Sequence, residues 1–420
     1  MSQTLARPDG RDITIVGAGI IGLCSAIELL QKGFQVIIID KAEPGQGASY
    51  GNAGVVSPWS MAPQSMPGLW RKVPGWLLDP LGPVVVSPRY LPRMAYWGTR
   101  FLLQGRRTQV EKNSQAMARL IGDCIPLYQQ LLADTGAQDL LRDSYYVHAY
   151  RNEKEANLNR LDYQIRIKNG ADIERYNRQQ LRQLEPALST DFAAAIVIKG
   201  QARLTNPGRL GQVLSDKVQL LGGKFIQREV GNIRPSVSGG WDCFYDGRAH
   251  QSSQLLVAAG AWSADLLRPL GIKVLMENER GYHISYPDVD MQLNNSIMDA
   301  DMKFVASQME GGLRIAGTAE FDDKNAPPNP QRVAGLATLA NKMFPDLGQS
   351  NFQSWVGVRP SLPDSLPCLG KVQGMAGLHV AFGHSHYGMM MAPQSAKLIA
   401  KSITQEIDEE LLNDFRLNRF

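Results

Sequence analysis

Gly17-Ala18-Gly19-Ile20-Ile21-Gly22 is the stretch from which the fold can be read. It follows the β-branched run Asp12-Ile13-Thr14-Ile15-Val16 and opens a segment of helical periodicity from Ile20 to Leu30, closed by Gly33. Gln35 to Asp40 is a second apolar run, so the whole reads as strand, turn, helix, strand, which is one βαβ unit. The G-x-G-x-x-G spacing permits a tight turn and a close ligand-to-backbone approach, with the positive end of a helix dipole facing an anion. Asp40 stands 18 residues past Gly22, where a carboxylate can accept from ribose hydroxyls. The unit therefore predicts a bound dinucleotide. A second small-residue loop, Gly45-Gln46-Gly47-Ala48-Ser49-Tyr50-Gly51-Asn52-Ala53-Gly54, comes directly after it. An extended FAD lying along the protein needs this second backbone surface, whereas a diffusing nicotinamide cofactor usually does not.

Composition sets the outer bounds. A chain of 420 residues, 44% hydrophobic and 20% charged, with 40 Gly and 24 Pro, is globular and turn-rich, and at roughly 150 residues per domain it holds two or three domains. Its net charge of +4 is too weak a balance to indicate nucleic acid. Cys24, Cys124, Cys243 and Cys368 form no C-x-x-C pair, so neither a disulfide framework nor a metal site is expected, and a reducing cytoplasm fits. The apolar stretch Ile13 to Leu30 mimics a signal peptide but holds three glycines and Glu28 and lacks an A-x-A site. No other stretch is long and uncharged enough to predict a spanning helix.

Farther along, Thr108 to Asp134 is expected to be helical, Ser144 to Tyr150 a strand, and Asn152 to Lys168 and Asn177 to Leu184 further helices of a second domain. Asn206-Pro207 reads as a helix start, Asn as cap and Pro in the first turn, with the helix running to Leu221. Strands are expected at Lys224 to Ile233, Trp241 to Tyr245, Ser253 to Ala259 and through Lys273 to Thr318, then a helix from Val333 to Met343. The tail is expected to supply a Gly/Pro-rich turn from Trp355, a strand at Leu378 to Phe382 and a helix from Ala392. The fold class is thus α/β, a Rossmann-type FAD-binding domain (1–56, 195–272 and 355–420) interwoven with an α+β substrate domain holding a mixed sheet (57–194 and 273–354).

The N-terminal unit, Ser49-x-x-Asn52-Ala53-Gly54, the strand end Ala258-Ala259-Gly260-Ala261-Trp262-Ser263, Trp355-Val356-Gly357-Val358-Arg359-Pro360 and Gly383-His384-Ser385-His386-Tyr387-Gly388 together resemble the D-amino-acid oxidase superfamily of flavoproteins. Within it the chain is most similar to bacterial FAD-dependent D-amino-acid dehydrogenases, because Asn52-Ala53-Gly54 is followed by Ser57-Pro58 and a Pro/Trp-rich insertion. Glycine and sarcosine oxidases are near relatives. The resemblance implies that Gly17, Gly19, Ile20, Ile21 and Gly22 hold the pyrophosphate and that Asp40 and Lys41 meet the adenosine. Gly47, Ala48, Ser49, Asn52, Ala53, Gly54 and Val55 would follow the cofactor toward the flavin, and Val230 would hold the adenine through its backbone. Ala259, Gly260, Trp262 and Gly357 would complete the wall, with Gly383, His384, Tyr387, Gly388 and Met389 facing the pyrimidine end of the ring. Sarcosine oxidases anchor flavin through a cysteine near the C-terminus; none lies beyond Cys368, so FAD is expected to be noncovalent.

Arg359 matches the family arginine that forks onto the substrate carboxylate, a task suited to a planar, permanently charged guanidinium. Tyr282 and His386 are the further catalytic candidates. Tyr282, His283 and Tyr387 are expected to bind substrate, and Tyr146 is a weaker candidate. The implied reaction is oxidation of a D-amino acid or a cyclic D-imino acid of the D-proline or hydroxyproline type, with electrons passed to a quinone or another acceptor than oxygen. A glycine/sarcosine-type oxidase releasing peroxide and a non-catalytic flavin-binding subunit are the rivals. Residues 57–107 carry seven Arg and Lys against Asp79 alone, and four of the seven tryptophans. This composition suits either peripheral contact with an anionic membrane, at the inner face of the cytoplasmic membrane, or a lid or subunit contact.

Overall fold

The computed structural model describes residues 10–348 and 350–420. Two sheets organise it. The first has six strands in the order Cys368–Lys371, Leu378–Phe382, Gln254–Val257, Asp12–Val16, Gln35–Asp40, Lys224–Gln227, all parallel except the pairing of the first two. Its central strands are near-continuous β-branched and leucine runs because both faces are covered. Ile13, Ile15, Val36, Ile38 and Leu256 point to one side, against the helices Ile20–Gln31, Pro207–Leu220 and Gly388–Ile403. Val16, Ile39, Leu255 and Val257 point to the other, where a three-stranded sheet supplies Ile233, Trp241 and Cys243. Asn206 caps its helix by accepting from the Arg209 N–H at 2.9 Å, with Pro207 in the first turn, as expected.

The second sheet has ten strands. Its main path runs Gln353–Ser361, Glu277–Tyr286, Gly312–Phe321, Phe304–Met309, Ser296–Asp299, Leu141–Tyr150, Ala194–Leu204, Val55–Val56. Two strand pairings in it are parallel, Ser296–Asp299 with Leu141–Tyr150 and Gly312–Phe321 with Val84–Val86, so the sheet is mixed. One face packs Val147, Tyr282, Ile284, Phe304 and Ile315 against the helix Pro330–Met343.

Several expectations are corrected. The sequence around Arg359 is not a turn: Gln353–Ser361 is the edge strand, where the missing N–H of Pro360 costs no inner ladder bond. Ala194–Leu204 belongs to the ten-stranded sheet, not to the dinucleotide half, and so do Val55–Val56 and the start of the last segment. The expected helix over 108–134 is two helices, Arg107–Ile121 and Cys124–Leu132, separated at Gly122-Asp123; both pack with the helices of the first sheet rather than in the second half. Residues 152–168 are helical only over a short turn and Leu161–Lys168. The proline-rich insertion nonetheless forms the helices Leu69–Leu78, with Pro74 inside it, and Leu91–Gln104, with Pro92 in its first turn.

Candidate active site

One cleft of about 1720 Å³ lies between the carboxyl ends of the parallel strands and the uncovered face of the ten-stranded sheet, the place where open α/β sheets bind ligands. At its first end Gly17 sits at φ +118°, and a Cβ there would lie 2.3 Å from the Ala258 carbonyl oxygen; at Gly22 it would lie 1.9 Å from that of Gly17. These two glycines serve the packing of turn on strand and helix, and Gly22, like Gly54, stands behind the lining rather than in it. Gly19 is different. A Cβ on it would meet nothing nearer than Ser49 Oγ at 3.6 Å, and one on Gly47 would meet nothing within 4 Å, so the space over both loops is cleft. The helix Ile20–Gln31 has no acidic residue in its first turn, leaving its positive end for an anion; Ser49 Oγ accepts from the Ile20 N–H at 3.0 Å and ties the two loops together. Asp40 accepts from the backbone N–H of Ala18 at 2.6 Å and of Ala42 at 3.0 Å, which fixes the carboxylate at the rim where a ribose would lie. Lys41 spans the rim, its Nζ 4.0 Å above the Trp262 ring. Val230, Ala259 and Gly260 complete this wall. The residues fit an extended dinucleotide.

The second loop is held from behind. Arg314 Nη1 donates to the carbonyls of Tyr50 and Asn52 at 2.9 and 3.0 Å. The Trp355 ring lies flat on Gly51 and Gly357, where added Cβ atoms would fall 1.7 and 2.0 Å from it, and His283 stacks on that ring at 5.0 Å. His283 is thus wedged under the loop, with Nδ1 3.3 Å from the Gly51 carbonyl, and burial lowers its pKa to about 3. It does not line the cleft, contrary to its expected role in binding substrate.

At the reaction end the Glu277–Tyr286 strand carries Glu277-Asn278-Glu279-Arg280, four polar residues in a row and all buried. Gly281 leaves room for Arg359, whose guanidinium carbon would otherwise lie 2.2 Å from a Cβ. Arg359 Nη1 donates to Glu279 Oε1 at 2.8 Å and to the Thr318 carbonyl at 3.1 Å. Its Nε–Nη2 edge, the one that can fork onto a carboxylate, has no protein partner among the described residues. Thr318 presents its carbonyl from a backbone at φ +60°, a conformation a β-branched residue adopts only under strain. Glu279 also receives Ser361 Oγ at 2.7 Å and pairs with His386 Nε2. Burial alone would raise the Glu279 pKa, but His386, Arg359 and Ser361 outweigh it and hold the carboxyl at about 2. An ionised Glu279 can only accept, so in this contact His386 Nε2 carries the hydrogen.

Tyr282 is among the residues that line the cleft, but its hydroxyl is engaged elsewhere. Adjacent strand residues point to opposite faces, and its ring packs in the core beside the Pro330–Met343 helix while its hydroxyl donates to Glu320 Oε2 at 2.6 Å. Tyr387 lines the cleft, but its hydroxyl donates to the Ala62 carbonyl at 2.9 Å. Gly383 sits at φ +84° with Leu362 2.3 Å from an added Cβ, buried His384 is 3.1 Å from Ser395 Oγ, and Gly388 and Met389 open the helix Gly388–Ile403, which has no acidic residue in its first turn. A second helix N-terminus therefore faces the cleft. Tyr146 lines the cleft from the far side of the sheet. Sequence reasoning missed Glu279, Thr318 and Arg314; the four consecutive polar residues in an otherwise apolar strand were the one available signal for Glu279.

A profile of the DAO family, described as FAD dependent oxidoreductase, matches residues 12–402. The chain is 34% identical to a D-amino-acid oxidase of Bradyrhizobium diazoefficiens, over 98% of this chain and 100% of that one. It is 30% identical to a D-amino acid dehydrogenase of Rhodopseudomonas palustris, over 96% of both. Among solved structures it is similar to glycine oxidase from Geobacillus kaustophilus, with a TM-score of 0.76 and 23% identity over 97% of this chain and 98% of that one.

Proposed function

This chain belongs to the DAO family of FAD-dependent oxidoreductases, and we propose that it oxidises a D-amino acid or a cyclic D-imino acid at the α-carbon. FAD supplies the hydride acceptor when bound. Arg359 forks through its free Nε–Nη2 edge onto the substrate carboxylate, while Glu279 and Thr318 prevent the guanidinium from turning away. The substrate amine is neutral when the α-hydrogen leaves with its electron pair, and His386, oriented by Glu279, lines the cleft beside Arg359. The product is an imine, which water converts to the 2-oxo acid, or a cyclic imine from a proline-type substrate. The partnerless edge of a cleft arginine whose other nitrogen is anchored is the observation that carries this reading. Anaerobic bleaching of flavin absorbance against D-amino acids, L-amino acids, N-methylglycine and hydroxyprolines tests it; bleaching by L-amino acids alone would overturn it. None of the four cysteines lines the cleft, which supports noncovalent binding of the cofactor.

The acceptor reading is a quinone or another non-oxygen acceptor, reached by peripheral contact with an anionic membrane. Among the described residues no helix is long and apolar enough to cross a membrane. The proline-rich insertion covers the cleft with Trp76, Met94 and Phe101 and is anchored by Tyr90 to Glu277 at 2.6 Å and by Trp97 to the Ser361 carbonyl at 3.1 Å. It exposes Trp70, Leu77, Leu78, Leu91, Tyr96, Leu102 and Leu103, over half of the exposed large hydrophobic residues described, of which Leu77 and Leu102 also line the cleft. These stand among Arg71, Arg89 and Arg100. Exposed apolar side chains interspersed with arginines along one segment suit contact with an anionic lipid surface. Peroxide release by the purified protein, at the rate of substrate oxidation, would favour the oxidase reading instead.

A further inference from the structure

We propose that the cleft holds a second anion-binding subsite, built by Lys303 with Arg160 and Arg166, and that the amino acid oxidised here carries a second carboxylate. This rests on Arg359 holding the first. Lys303 immediately precedes the Phe304–Met309 strand at φ +61°. Its side chain is accessible yet lies deep within the molecule, so the surface it shows is the cleft's. Burial first, and then the nearby Arg160, lower its pKa to about 8. Its backbone N–H donates to the Asp299 carbonyl at 2.8 Å, but no described residue offers the Lys303 ammonium an ion pair or a hydrogen bond. Around it the cleft-lining cations Lys303, Arg160 and Arg166 outnumber the cleft-lining carboxylates: Arg160 and Arg166 share Asp162, at 3.3 and 3.5 Å, and Arg160 also has Glu155, at 3.8 Å. Behind them are two unpartnered buried nitrogens, of which the Arg166 Nε–H is a donor. Arg166 Nε has no partner, and neither has His148 Nε2, although His148 Nδ1 is engaged by Tyr163 at 2.8 Å.

Among the described residues the Lys303 ammonium has no ion-pair partner, and a partly desolvated charge is stabilised when a counter-charge arrives. A carboxylate would meet up to three cations there in charge-assisted hydrogen bonds. The span suits one molecule. Lys303 and Arg359 are separated by the Glu277–Tyr286 and Gly312–Phe321 strands, three inter-strand steps of about 4.8 Å, or about 14 Å between backbones. Two long side chains reaching inward reduce that gap to the length of a short dicarboxylic amino acid.

Titrating the FAD-loaded protein with glutarate and with valerate, and following the perturbation of flavin absorbance, tests the subsite without turnover. Glutarate is expected to bind at least about tenfold more tightly, and Lys303→Met or Arg160→Gln to bring the two within about twofold. Equal binding of the two acids, or a preference that survives both variants, overturns the subsite. Anaerobic bleaching by D-glutamate against D-glutamine is the second arm, with D-glutamate expected at least about tenfold faster. If D-glutamine is as fast, the second carboxylate is not a substrate feature. If no D-amino acid bleaches the flavin while glutarate still binds preferentially, it is the reading of the substrate as a D-amino acid that fails.

Discussion

Replacing Glu279 by glutamine keeps the shape of the side chain and part of its hydrogen bonding but deletes the charge that Arg359 and His386 share. The consequence for stability follows from the titration of the carboxyl. Its folded pKa of about 2 lies below the ordinary 4.5, so the native state favours the ionised form by about 3 kcal/mol. A depressed acid stabilises the fold fully above its unfolded pKa and loses that contribution as pH falls toward the folded one. Wild-type protein should therefore retain the full contribution at neutral pH and only about 2 kcal/mol of it near about pH 3.5. Glu279→Gln cannot titrate, so its deficit against wild type should narrow on acidification. Urea unfolding followed by circular dichroism at about pH 7.5 and about pH 3.5 measures both gaps. A variant as stable as wild type at neutral pH, or a deficit that does not shrink in acid, would refute the assignment of Glu279 as a buried anion at this site.

Arg359→Ala removes a charged hydrogen-bonding partner worth roughly 3 kcal/mol, so substrate capture should fall about a hundredfold in kcat/KM while the flavin spectrum stays near normal; unchanged kinetics would remove Arg359 from the site. Tyr282→Phe should cost about 1–2 kcal/mol of stability, because Glu320 loses a donor, and should leave kcat within about twofold; a large kinetic loss would give the Tyr282 hydroxyl a part in the reaction. Purified protein should be yellow and release its flavin on acid precipitation, and flavin remaining on the precipitate would exclude noncovalent FAD. Anionic liposomes should capture the protein at low salt, each basic residue contributing about 1 kcal/mol within a Debye length of about 8 Å, and replacing Trp70, Arg71 and Leu78 together should abolish capture without loss of flavin. Indifference to such liposomes would make the insertion a lid or subunit contact only.

The dinucleotide half was legible in the sequence because its signals are local. Gly17, Gly22 and Asp40 act within one βαβ unit, and the backbone conformations that require glycine are set by neighbours in the chain. Gln353–Ser361 was not legible: Gly357 and Pro360 read as turn residues, and only the edge position of the strand makes proline harmless there. Ala194–Leu204 was missed for a related reason. Its partners lie at 141–150 and 173–177, and its membership of the larger sheet is decided by pairings that local composition does not encode.

The reaction end shows what kind of information a motif withholds. Arg280-Gly281-Tyr282-His283 contains three residue types that could bind or catalyse, and the strand's alternation, with its register shift between Arg280 and Tyr282, distributes them among different environments. Arg280 pairs with Glu320 at 3.2 Å and Tyr282 bonds to the same carboxylate, both on the covered face, while His283 goes under the second glycine loop. Gly281, the one residue of the four without chemistry of its own, is where Arg359 lies. Glu279, two positions earlier, reaches Arg359 and His386 from a strand that does not neighbour His386 in sequence. The proposed site is a contact among residues 279, 318, 359 and 386, and for the first three it depends on which face of a strand each occupies. A one-residue slip of the Glu277–Tyr286 strand would leave the motif intact in sequence and turn Glu279 away from Arg359, so the contact depends on the register of that strand as well as on the residue types in it.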